Sequence, residues 1–66
     1  MEKIKTLRSM KNLTQSRLAI ESGVSQSYIN ELERGKKNNP SVVVLVKLAK
    51  ALGVSIMELL DNTDLT

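Results

Sequence analysis

Apolar residues recur along this chain at helical spacing, and Gly, Asn, Pro and Ser interrupt them at short intervals. Ile4, Leu7 and Met10, three apart, predict a first helix from about Glu2 to Lys11 with those residues on one face, ended by Asn12. Thr14 suits a helix start, where its side-chain oxygen can accept from an unpaired amide. It predicts a second helix, Thr14 to Ser22, that turns Leu18 and Ala19 inward. Gly23 ends it, because the left-handed backbone of a helix C-terminus costs glycine nothing. Ser25 caps a third helix through Arg34, with Ile29 and Leu32 facing in and Gly35 closing it. After the loop Lys36–Pro40, Asn39-Pro40-Ser41 marks the entrance to a fourth helix whose inward residues are Val42, Leu45, Leu48, Ala49 and Leu52, up to Gly53. Ser55 and Glu58 form a capping box that opens a short last helix through about Leu60. Val42, Val43, Val44 and Val46 are β-branched and would suit a strand, but they lead into a helical period about three turns long, so the helix is preferred. The expectation is an all-α fold, a compact five-helix bundle forming one domain over residues 1–66.

Composition narrows what such a bundle can do. The chain has 66 residues, no cysteine and no histidine. A domain of this size buries only about 60% of the surface its unfolded chain exposes, so helix packing, aided by a partner subunit, has to supply the stability. Without Cys or His the commonest metal ligands and the commonest general base are missing, and neither a nucleophile paired with a base nor a phosphate-cradling glycine loop is present. Gly23, Gly35 and Gly53 are dispersed, and each has a helix-ending role. A non-enzymatic protein with no metal, no cofactor and no small-molecule ligand is expected. The longest unbroken apolar run, Val42 to Val46, is far short of the roughly 18 residues of a membrane span. With no export signal and no disulfide, the expected location is the cytoplasm, away from membranes.

The charge is unevenly spread. Residues 1–37 hold eight basic side chains against four acidic ones, whereas residues 38–66 hold two basic against three acidic. A basic half beside a neutral or acidic half suits a polyanion on one side and a different partner on the other, although ordinary solvated helix faces would read the same way.

The stretch Thr14 to Gly35 is the most informative. Two short helices joined at Gly23-Val24-Ser25 make a tight turn, with Val24 as an apolar plug and Ala19 small enough to let the helices approach. Such a turn projects the start of the third helix outward, where it can enter a DNA major groove. Gln26 and Ser27 on that turn carry both donors and acceptors, and Gln can read adenine through a bidentate pair.

These residues, together with Gln15, Leu18-Ala19, Ile29, Leu32-Glu33, Gly35, Pro40-Ser41, Leu45, Leu48-Ala49, Leu52-Gly53-Val54-Ser55 and Leu59, resemble the lambda-repressor-like (XRE-type, Cro/repressor) helix-turn-helix family over almost the whole chain, from Ile4 to Leu60. The resemblance implies a transcriptional regulator that binds double-stranded DNA sequence-specifically, as a repressor or as a controller of a restriction-modification system. By position it implies that Gln26, Ser27, Asn30 and Glu31 read bases. It implies phosphate contacts from Gln15, which would also brace Gln26, and from Arg34, Lys36, Lys37 and Asn38; Arg17 and Tyr28 are further candidates for phosphate contact. It further implies an internal salt bridge between Arg8 and Glu33. Glu31 is acidic where DNA would lie; it could accept from a cytosine amino group or stay in solvent. Tyr28, the one aromatic residue, could donate its hydroxyl to a phosphate or pack over the second helix.

The C-terminal half departs from the family pattern in having Val43, Val44, Val46, Ile56 and Met57 where many relatives are polar. With Val42, Leu45, Leu48, Leu52 and Leu59 already assigned to the core, the last two helices are apolar on more than one face, and such patches are usually covered. A symmetric homodimer built on Val43, Val46, Ile56, Met57 and Leu60 is expected. The alternative is an antitoxin-like interaction module that neutralises a protein partner through the same helices.

Overall fold

The computed structural model describes residues 1–37 and 39–60. Helix boundaries follow the caps. Thr14, Ser25, Ser41 and Ser55 each have extended backbone and accept a hydrogen bond from the amide three residues on, which satisfies one of the unpaired donors of a helix start. At the last of these Glu58 reciprocates, accepting from the Ser55 amide at 3.0 Å, so the capping box is complete. The resulting elements are α1 (Glu2–Met10), α2 (Gln15–Ser22), α3 (Gln26–Glu33), α4 (Val42–Leu52) and α5 (Ile56–Leu59). Among the described residues every regular element is a helix, so the valine-rich run is helical, as its period requires.

The first four helices are each followed by a left-handed residue. Gly23 adopts φ 75°, which turns the chain sharply from α2 into α3. Between α1 and α2 the same service comes from Asn12 at φ 57°, a residue whose short polar side chain tolerates that region.

α2 packs on both α3 and α4, α1 lies against α3 and α5, and α5 against α4. Where they meet, Ile4, Leu18, Ile29, Leu32, Leu48, Leu52 and Leu59 are fully buried, joined by Val24 and Ala49. Val24 is thus the plug beneath the α2–α3 turn. Val42, expected in the core, is 70% exposed, and Met10, expected on one face with buried Ile4, is 74% exposed. The cause is the same for both. In a helix of 3.6 residues per turn a step of three falls about 60° short of a full turn, so two such steps carry a side chain about 120° around. Met10 is two steps from Ile4 and Val42 is two steps from Leu48. Leu45, one step from Leu48, is half-buried against the core.

Candidate nucleic-acid interface

α3 reaches its site through its N-terminus. Gly23 and the Ser25 cap direct its first turn, and Ile29 and Leu32 anchor its inner face. The outer face is left with Gln26, Ser27, Asn30, Glu31 and Arg34, which line one open hollow. These are the four expected base-reading residues and one of the expected phosphate residues, brought together on one surface. Gln26, Ser27 and Arg34 are exposed, while Asn30 and Glu31 are half-buried.

Beneath the hollow runs a polar network. The Arg8 guanidinium donates from Nε to Glu33 Oε2 at 2.8 Å, from Nη2 to Glu33 Oε1 at 3.0 Å, and from Nη1 to the Leu13 carbonyl at 2.8 Å. One side chain therefore ties α1 to α3 and to the α1–α2 loop. The Glu33 side chain is only 3% exposed. Burial works to raise its pKa, but the hydrogen bonds from Arg8 and Gln15 and the charges of Arg8 and Lys5 outweigh it and hold the carboxyl below the ordinary range. Arg8 is pushed the other way, above its usual value, chiefly by its hydrogen bond to Glu33.

Gln15 belongs to this network. Its Nε2 donates to Glu33 Oε1 at 3.0 Å, and its Oε1 accepts from Asn30 Nδ2 at 3.4 Å. The expectation that Gln15 braces Gln26 is corrected: Gln26 Oε1 instead accepts from Ser16 Oγ at 3.1 Å. A buried carboxylate oxygen is a stronger acceptor than a neutral amide, so it claims the Gln15 amide, and the next residue of α2 takes the bracing position. Sequence reasoning missed Ser16 because any small polar residue there would look like plain helix surface.

The cationic residues are not equally available. Arg17 donates from Nε to Glu21 Oε2 at 2.7 Å, one turn along α2. Lys37 Nζ lies 3.9 Å from Glu31 Oε2 and 5.6 Å above the Tyr28 ring, a cation–π contact. Tyr28 is half-buried and packs against the core, and Lys37 partly offsets the acidic Glu31 at the edge of the hollow. Arg34 and Lys36 are exposed. Asn38, expected at a phosphate, lies outside the described residues.

Elsewhere on the molecule, Val43 and Met57 are 62% and 61% exposed, whereas Val46, Ile56 and Leu60 are half-buried and Ile56 packs partly onto the core. Among the described residues no group of acidic, His or Cys side chains could hold a metal ion, and no helix is long and apolar enough to cross a membrane.

Comparison with known proteins agrees with this geometry. A family model described as helix-turn-helix matches residues 4–59. The uncharacterized HTH-type transcriptional regulator y4dJ of Sinorhizobium fredii is 52% identical over 60 residues, covering 91% of this chain and 77% of y4dJ. The crystal structure of the restriction-modification controller protein C.AhdI from Aeromonas hydrophila superposes with a TM-score of 0.84 at 41% identity, covering 89% of this chain and 88% of that one. A SinR–SinI protein complex matches with a TM-score of 0.85 at 40% identity, covering 91% of this chain and 58% of that one. Against the longer SlrR and SinR regulators of Bacillus the chain spans 38–59% of their length. The chain belongs to the lambda-repressor-like, XRE-type helix-turn-helix family of DNA-binding transcriptional regulators.

Proposed function

We propose that two copies of this chain bind a near-palindromic operator and present their α3 helices to successive major-groove faces, roughly 34 Å apart. Gln26, Ser27, Asn30 and Glu31 discriminate bases. Tyr28, Arg34, Lys36 and Lys37 lie along the phosphates, and the three cations supply the salt-dependent part of the affinity; Gln15, whose side chain is held between Glu33 and Asn30, is not among them. Arg17 contributes less, because Glu21 already holds its guanidinium. The observation that carries this reading is the hollow on α3, lined only by polar and charged side chains on a helix whose other face is locked into the core. The pairing of subunits rests on Val43, Val46, Ile56, Met57 and Leu60, which are among the apolar residues left partly or largely exposed on α4, on α5 and just after it. Repression or control of a restriction-modification system in the cytoplasm fits this fold, since C.AhdI, a controller of that kind, superposes with a TM-score of 0.84 at 41% identity.

Selection of bound sites from a random duplex library at about 150 mM salt, which suppresses purely electrostatic retention, tests the proposal. A two-fold-related motif is expected. Salt-sensitive retention with no motif would refute it. It would favour the second reading, an antitoxin-like module whose α4–α5 surface receives a different protein. That reading is supported by the complex with a second protein, SinI, in which the neighbour SinR was solved.

A further inference from the structure

The network beneath the hollow has a direction. A guanidinium can only donate hydrogen bonds and an ionised carboxylate can only accept them. Arg8 therefore fixes Glu33 as acceptor, and Glu33 fixes the neighbouring amide: Gln15 must turn its nitrogen to Glu33 Oε1, 3.0 Å away. The reverse orientation would set two acceptor oxygens against each other beside a carboxylate whose side chain is only 3% exposed. Gln15 Oε1 is then left facing Asn30, which can answer only with its nitrogen, as it does at 3.4 Å. Asn30 lines the hollow on α3. Its amide is thus oriented by a charge three hydrogen bonds away.

We propose that the relay Arg8–Glu33–Gln15 positions Asn30 with its carbonyl oxygen toward DNA, so that Asn30 reads a base carrying an exocyclic amino group, adenine or cytosine. The inference rests on the DNA-reading function proposed above. An outward Oδ1 accepts from adenine N6 or cytosine N4, whereas guanine O6 and thymine O4 offer it only another acceptor. Gln26 has no such constraint. Its partner Ser16 is a hydroxyl, able to donate or accept, so the Gln26 amide can turn either way round. One residue on the outer face of α3 has a fixed hydrogen-bonding polarity and its neighbour one turn earlier has an adaptable one. Gln15 and Glu33 are positioning residues in this scheme.

The experiment uses the full chain and the site obtained by selection. Exocyclic amino groups are deleted from that site one at a time with base analogues, and affinity is measured for the wild type, Asn30→Ala, Gln15→Met and the double variant. One deletion should weaken the wild type about tenfold and leave Asn30→Ala unaffected. Gln15→Met should shrink that penalty to about threefold or less, because the freed amide can flip, while retaining affinity for random duplex at low salt. A penalty unchanged by Gln15→Met, or no amino group coupled to Asn30, would overturn the relay and leave the DNA-reading function standing. Loss of affinity on all sequences alike for Gln15→Met, persisting in the double variant, would make Gln15 a phosphate contact instead and also overturn it. A wild-type protein with no preferred site would remove the function on which the relay depends.

Discussion

Arg8 and Glu33 meet in a two-pronged ion pair, 2.8 and 3.0 Å long, that joins the first helix to the last turn of the third. It fastens the groove-facing helix to the body of the protein and leaves no buried side-chain polar atom unpartnered among the described residues. Removing one partner is far worse than removing both, because a lone charge then stays buried. Arg8→Met should destabilise the chain by about 3–5 kcal/mol, most of the stability of a small domain. The double change Arg8→Met, Glu33→Leu should cost less than the single one. Urea denaturation of the three proteins at neutral pH checks the order.

The same pair makes stability depend on acid. The carboxyl of Glu33 titrates lower in the folded chain than in the unfolded one, so the unfolded state takes up the proton first as pH falls. The stabilisation is complete above the unfolded carboxyl's range, roughly pH 4 to 5, and is lost as pH drops through the lower folded value. Denaturant midpoints measured from neutral pH to about pH 2 should fall for the wild type. For Glu33→Gln they should start lower and change less steeply, and equal slopes would remove Glu33 as the cause.

Gly23 at φ 75° has nothing within 4 Å of where a Cβ would stand, so only backbone strain opposes a side chain there. Gly23→Ala should therefore cost about 1–2 kcal/mol, and Gly23→Asn less, because asparagine tolerates the left-handed region. Thermal unfolding separates the two variants. A much larger loss for alanine would mean that the turn is crowded rather than strained.

Helix caps and turns were the most legible part of the sequence, because they depend on one or two neighbouring residues: Thr14, Ser25, the Ser55–Glu58 box and Gly23 act as their chemistry dictates. Which residues face inward was less so. Met10 and Val42 share the three-residue spacing of their neighbours but lie about 120° from the core stripe, and only the packing of neighbouring helices shows where that stripe is centred. In the site, the residue types on α3 could be read from sequence, but their partners could not. Gln15 is drawn to Glu33 across 18 positions and Ser16 to Gln26 across 10, pairings that require the folded angle between α2 and α3.

The proposed dimer makes its own demand on solution behaviour. Met57 is 61% exposed on the α5 side of the apolar surface, so a charge placed there leaves the monomer's core untouched. Met57→Glu should shift the chain from dimer to monomer in sedimentation at tens of micromolar while keeping its helical circular dichroism. A wild type already monomeric at that concentration would contradict the assignment of these residues.

In the proposed complex α3 reads bases while the basic loop reads only charge. Titration of the wild type, Gln26→Ala and Lys36→Ala against the selected site and against random duplex, over a range of salt, separates the two contributions. Gln26→Ala should lose about 1–3 kcal/mol on the selected site and almost nothing on random DNA. Lys36→Ala should weaken both alike and flatten the salt dependence by about one unit. Equal losses on both duplexes for Gln26→Ala would rule out base reading by Gln26, which would then be contributing affinity without sequence.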